Sequence, residues 1–438
     1  MKKQPILEKA TIPDEALQRF LRYVSFDTRS DPDSETHPST RGQTLLAELL
    51  ESELESLHGP WKTDRLADGS LLVRVPPSPG RESAIKAAFV AHLDTYYGLQ
   101  GAASSRVVDC DGAAIHLGQD VSIPGMMLAP FAGKRLVVTD GSGLLGADDK
   151  AGVAALMTVL SHLAKGGEGS RHGQGYKHGP LDFWFTTDEE IGRIGIDALP
   201  PGLGESWKVL WTLDGEDLSE LSVGDLAIRR ARVVFHGVDA HPCLHGQDLV
   251  PAHYAASRFV DRLAALPNPM TTAGRDPFFQ VASIEGRPER AEVFCRFASF
   301  EGQDLPGMEE SLLRIARESA LAYGARLEVE LSTGSANFHE AVASHPQLID
   351  PGRRALAARG FRVREIEIRG GTDGGLLSVT FPALPTPDLG TGARNPHSRA
   401  EFLVVDELLA LPGIVLDMIS EYAAAAPMGA EVKADEQE

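Results

Sequence analysis

The sequence predicts an α/β protein interrupted by a smaller α+β domain. Three observations carry that expectation. The chain has 438 residues, more than one core of ordinary size needs. Up to about Asp214, nearly continuous apolar runs such as "LDFWFTT" and "WKVLWTLD" alternate with helical patterns, as strands buried on both faces do. Beyond that point the runs alternate apolar with polar, and two helical stretches sit among about four strands.

The elements follow in order. "PDEALQRFLRYVSF" places Leu17, Phe20, Leu21 and Val24 at helical spacing behind an acidic start. "STRGQTLLAELLESELESL" is a second amphipathic helix, and "SLLVRVPP" and "AIKAAFVAH" are strands. "DKAGVAALMTVLSHLAKG" reads as a helix stopped by glycine. "GGEGSRHGQGYKHGP" reads as a polar surface loop, with two histidines that need no metal to explain them. In the second part, "IRRARVVFHGV" is strand-like and "PAHYAASRFVDRLAAL" helical. "PFFQVASIEG" and "ERAEVFCRFASF" form a strand pair, "GMEESLLRIARESALAYG" is a helix and "ARLEVELST" a half-buried strand. From about Asn337 the character of the first domain returns. The expected division is residues 1–217 and 337–425 for the main domain, 218–336 for the insertion, and a frayed tail at 426–438.

The formal charge of −20 disfavours nucleic acid and acidic membranes, because phosphate binding needs basic patches. Three separated cysteines fit free thiols in a reducing compartment better than a disulfide framework. With no apolar leader and no membrane-length apolar run, a cytoplasmic protein is expected.

Polar clusters stand directly after three of the buried strands: "HLD" at 92–94, "DEE" at 188–190, and Asp214. Sites in open α/β sheets form beyond the carboxyl ends of the strands. Each cluster has a plainer explanation. His92 alone is an ordinary satisfied histidine, and Glu189–Glu190 is an ordinary acidic helix start. Asp148 or Asp149 in "GADDKAG" caps the next helix, although a cap needs no second carboxylate beside it. His397 in "NPHSRAEF" alone means little, and it stands before a predicted helix. Together, imidazoles and carboxylates without thiolate suit zinc, cobalt or manganese. Five ligands exceed one open catalytic zinc site and fit two ions sharing a bridging carboxylate.

These motifs resemble the peptidase T family, tripeptide aminopeptidases of the two-zinc metallopeptidase superfamily. The resemblance runs from "RFLRYVSFDTRS" through "AHLDT", "TDGSGLLGADDKAG", "TTDEEIG", "TLDG", "RGGTDGG" and "NPHSRAEF". It implies a mixed, largely parallel sheet with an inserted α+β lid. It further implies two Zn2+ per subunit, with Co2+ or Mn2+ as substitutes. One would lie on His92, Asp148 and Asp214, the other on Asp148, Glu190 and His397, with a cis peptide between Asp148 and Asp149. Asp94 would accept the second N–H of the His92 imidazole. Glu189 would be the general base. His241 would stabilise the oxyanion, Arg369 would hold the peptide carboxylate and Asn337 would touch substrate. A homodimer through the lid is a further implication.

Two departures stand out. Cys243-Leu244 follow His241-Pro242 where the family has glycine, and Glu216 replaces the second glycine after Asp214. A dipeptidase, a carboxypeptidase or an N-acyl-amino-acid deacylase would use the same chemistry on short substrates. A non-catalytic peptide binder would not need Glu189. "GGTDGG" lacks the lysine and spacing of a phosphate loop.

Overall fold

The computed structural model describes residues 14–118, 120–166 and 176–425. The expected frayed tail and part of the polar loop, including His172, lie outside them. The chain divides into two compact units, residues 1–222, 345–366 and 387–438 in the first, and 223–344 and 367–386 in the second. No helix among the described residues is long and apolar enough to cross a membrane. All three cysteines are free, with Cys110 and Cys295 buried and Cys243 exposed.

The first unit is built on an eight-stranded sheet. Its order is Lys62–Arg65, Leu71–Val75, Leu181–Thr186, Ala87–His92, Val209–Gly215, Asp388–Gly390, Glu220–Ser222 and Arg364–Ile366. The centre is parallel: Ala87–His92 runs alongside Leu181–Thr186 on one side and Val209–Gly215 on the other. Lys62–Arg65, Leu71–Val75 and Leu181–Thr186 pair antiparallel in turn, as do Asp388–Gly390 and Glu220–Ser222, while Arg364–Ile366 runs parallel to Glu220–Ser222, so the sheet is mixed. Every residue of Ala87–His92 and Leu181–Thr186 is buried, which explains their unbroken apolar character. Register decides where these strands end. His92 pairs with Thr186, and Val90 with Thr212, so the "HLD", "DEE" and Asp214 stretches emerge at one edge. Helix Ala147–Ala164 packs against the central strands and is buried along nearly its whole length.

A second sheet in this unit was not legible in the sequence. Ala393–Arg394, Phe402–Val404, Arg135–Thr139 and Ser105–Asp109 pair antiparallel over a core containing Leu117, Leu128, Leu136, Val138, Phe402 and Val404. The consequence is a correction at "NPHSRAEF". His397 does not lead straight into a helix. It lies in the turn of a hairpin, and "FLV" pairs with Arg135–Thr139 before helix Val405–Ala424 begins.

In the second unit, Phe278–Gly286, Arg290–Ser299, Ala227–His236 and Arg326–Ser335 form an antiparallel sheet in that order. Alternating residues Ala231, Val233 and Phe235, with Ala291, Val293 and Phe297, pack against helices Ala252–Ala264 and Leu305–Tyr323. The unit begins and ends a few residues beyond the expected 218 and 336, and it also takes in 367–386. That return segment carries helix Asp373–Thr380, which packs on Arg326–Ser335 and accepts the Ala336 N–H at the Gly375 carbonyl. Its docking depends on contacts distant in sequence, so periodicity could not assign it.

Candidate metal centre

Five ligand-type side chains of the first unit converge in two overlapping groups. His92, Asp148 and Asp214 form one, and Asp148, Glu190 and His397 the other; within each, the ligand atoms lie within 4.8 Å of one another. His92 Nε2 stands 2.9 Å from Asp148 Oδ1 and 3.4 Å from Asp214 Oδ1. His397 Nε2 stands 3.3 Å from Asp148 Oδ2 and 3.0 Å from Glu190. The two oxygens of Asp148 thus face different histidines. The peptide between Asp148 and Asp149 is cis.

The electrostatics describe a cluster short of positive charge. Burial, with Asp148 adding repulsion, holds Asp214 well above the ordinary carboxylate range and pushes Glu190 up to about 7. Burial likewise raises Asp149. Burial works against a charged imidazole, yet the surrounding carboxylates hold His92 well above its usual value and His397 at about 11. Asp148, although buried, is pulled down by His397 and His92. A donor set of two imidazoles and three carboxylates, ringed by further acids, fits two divalent ions.

A shell of residues holds these ligands. Asp94 works differently from the expectation. His92 Nδ1 lies nearer the Asp94 main-chain carbonyl, at 3.1 Å, than its carboxylate, at 3.4 Å. The carboxylate instead accepts the N–H groups of Glu189 and Glu190, at 3.0 and 3.1 Å. It therefore links the His92 strand to the turn that bears both glutamates. That turn is one 3-10 turn, Glu189–Ile191, entered through Asp188 at φ 61°. Asp188 is anchored by Gln43 Nε2 at 2.6 Å and by the Ser39 N–H at 2.7 Å.

Three more acids were missed as site residues. Glu401 accepts N–H bonds from Gly146 and Ala147 at 2.8 Å and from Asp148 at 3.1 Å. Asp388 accepts the Asp214 N–H and the Thr212 hydroxyl, each at 2.9 Å. Asp149 accepts the His92 N–H at 3.2 Å and the Gly152 N–H at 3.0 Å. Glu401 and Asp388 each place an acid inside a short, otherwise apolar stretch, "AEFLV" and "PDLG". That was the available signal. The departure at Glu216 also has a use: its carboxylate accepts the Asn395 N–H at 3.1 Å, and its carbonyl accepts from Arg394 and Gly392, which ties down the His397 hairpin.

The remaining expected residues belong to the second unit. His241 lies in an exposed stretch with Cys243 and Leu244. Arg369, read as a carboxylate clamp, donates to the carbonyls of Gly274 and Asp276 and to Thr272 Oγ1, and it lies over the Phe278 ring. Asn337 accepts from the N–H groups of Asp225 and His339 and donates to the Phe300 carbonyl. Both side chains are engaged in holding main chain within their own unit, which motif matching could not reveal.

Comparison with known proteins decides the family. Residues 121–421 match Peptidase family M20/M25/M40. The chain belongs to that family. Peptidase T of Desulfitobacterium hafniense strain Y51 is 32% identical over 419 residues, covering 93% of this chain and 98% of that protein. Peptidase T of Shewanella sediminis is 32% identical over 408 residues, covering 92% and 96%. Among solved structures, a tripeptidase from Staphylococcus aureus superposes with a TM-score of 0.71 at 19% identity, covering 95% of this chain and all of that one. An M20-family peptidase from Bacillus subtilis, described as dinuclear metal-binding, gives 0.61 at 14% identity over 94% and 98%. This M20/M25/M40 member is a metal-dependent peptidase with residues for a dinuclear centre.

Proposed function

We propose that the chain is a zinc-dependent aminopeptidase that removes the N-terminal residue from short peptides, tripeptides foremost. The observation that carries the reading is Asp148, one carboxylate shared by two ligand groups. The donor set, with imidazole and carboxylate but no thiolate, favours zinc, with cobalt or manganese as substitutes. The peptidase T relatives support the substrate class.

His92, Asp148 and Asp214 would hold one ion, and Asp148, Glu190 and His397 the other. Such a pair supplies a water acidified for attack and a polarised scissile carbonyl. Glu189 is the residue that would take a proton from the attacking water and return it to the leaving amine. Asp94 keeps Glu189 and Glu190 in register through their N–H groups, so base and ligand stay on one turn. Glu401 and Asp388 hold the main chain at Asp148 and Asp214. His241 is assigned as the donor to the developing oxyanion, with the second unit acting as a lid. The free thiols favour the cytoplasm, and a homodimer through the second unit completes the reading.

The test combines metal content with a substrate panel. The purified chain should carry two zinc ions and release the N-terminal residue of a tripeptide. It should lose that activity to a chelator and regain it with zinc. A dipeptide and an N-acetyl amino acid should turn over far more slowly. Preference for either of those two would replace the specificity while keeping the site. Turnover that survives complete metal removal would end the proposal.

A further inference from the structure

The two histidines of the centre are held in different ways. His92 is 2% exposed, and its Nδ1 is fixed by the Asp94 carbonyl. His397 is 45% exposed. Its backbone sits at φ 57°, in a hairpin turn between two short strands. Among the described residues its only polar partners are at Nε2, the ligand nitrogen: Asp148 and Glu190. A ligating imidazole is ordinarily oriented by a hydrogen bond at its other nitrogen, because that bond sets the plane of the ring. What sets the plane here is aromatic. Tyr96, two residues past Asp94, stacks on the His397 ring at a centroid separation of 4.3 Å and an interplanar angle of 7°.

Tyr96 is itself wedged. On the sequence side, Gly98 leaves the room the ring needs: a Cβ at that position would lie 2.5 Å from Tyr96 Cε1. Tyr97 packs against Tyr96 at 5.0 Å in a tilted arrangement. The "HLDTYYG" stretch thus delivers His92 to one ion position and, four residues later, a flat surface for the histidine of the other.

We propose that Tyr96 is a positioning residue for the second metal position, holding the exposed His397 imidazole in its ligating orientation by ring stacking within a slot that Gly98 keeps open. The inference rests on the two-ion reading above. Loss of the stack should free the His397 ring and weaken the ion held by Asp148, Glu190 and His397. The ion held by His92, Asp148 and Asp214 should be left as it is. Supporting residues of this kind change metal affinity by roughly 10- to 100-fold when removed, and a stacked pair contributes toward the lower end.

The probe is zinc alone, titrated into the metal-free full chain against a chelating dye, with His397→Ala identifying which binding step belongs to the second position. Tyr96→Ala should weaken that step by about 10-fold and leave the other unchanged. Tyr96→Phe should bind both ions as the wild type does, since the face and not the hydroxyl acts. Gly98→Ala, which crowds the ring without removing it, should weaken the same step, and in the Tyr96→Ala background it should add nothing further. This second route keeps the question decidable if Tyr96→Ala folds poorly. Unchanged affinity at both steps, equal weakening of both, or a Tyr96→Phe that behaves like alanine would overturn the inference while leaving the two-ion reading intact. A wild-type chain that binds fewer than two ions would overturn both.

Discussion

Replacing Glu401 with glutamine changes one buried oxygen into an amide nitrogen and leaves shape almost untouched. Glu401 Oε1 accepts from Ala147 and Asp148, and Oε2 accepts from Gly146. A glutamine can keep its oxygen on the Ala147 and Asp148 pair, but its NH2 must then face the Gly146 N–H, donor against donor. A buried donor left unsatisfied costs about 1–3 kcal/mol, and the two surviving bonds lose the extra strength of a charged acceptor. The expected destabilisation of the metal-loaded protein is therefore roughly 3 kcal/mol. Because Asp148 belongs to both ligand groups, its displacement should weaken binding at both together, by roughly 10- to 100-fold. Thermal denaturation and chelator competition read the two effects separately. A Glu401→Gln protein with wild-type melting temperature and unchanged affinity for both ions would refute the argument that this carboxylate holds Asp148 in place.

Three further outcomes are expected. Asp148→Ala should lose both ions, measured as metal per chain after gel filtration, because among the described residues no other belongs to both ligand groups. Glu189→Gln should keep both ions and bind tripeptide, yet turn over roughly 10²–10⁴-fold more slowly. The metal-free chain should become less stable as pH rises. Glu190, Glu401 and Asp388 are each raised to about 7, so the folded state keeps protons that the unfolded chain releases above about 4.5 for the glutamates and 3.8 for the aspartate, and their contribution declines from there to about 7. His92 and His397 are also raised, so what they contribute is fully present below about 6.5 and is lost as pH climbs through their folded values. Melting curves from pH 5 to 9 with and without zinc check this, and saturating zinc should remove most of the slope.

The longer helices, the buried strands at the centre of the eight-stranded sheet and the strands of the second unit could be read from apolar period and run length. Leu17, Phe20 and Leu21 repeat as a helix does, and "LDFWFT" stays apolar as only a strand buried on both faces can. Candidate ligand types were legible because polar clusters follow three buried apolar runs and because two adjacent acids demand an explanation, while the division of His92, Asp148, Asp214, Glu190 and His397 between two ions came from the resemblance alone. What the sequence determined, then, was which candidate ligand groups the chain carries and the main elements that bear them.

Other features depended on contacts that no local pattern encodes. The antiparallel sheet that sets His397 in a hairpin pairs strands more than 250 residues apart, Arg135–Thr139 with Phe402–Val404. The return of 367–386 to the second unit, and with it the engagement of Arg369, rests on docking of that kind too. The division of work at Asp94, whose carboxylate serves two glutamates while its carbonyl serves the histidine, followed from the register of parallel strands, not from spacing. Glu401, Asp388 and Tyr96 are single residues in unremarkable surroundings, and their roles exist only through what folding brings beside them. Side-chain chemistry is a property of each residue. Orientation and support are properties of pairs, and only the tertiary structure chooses the pairs.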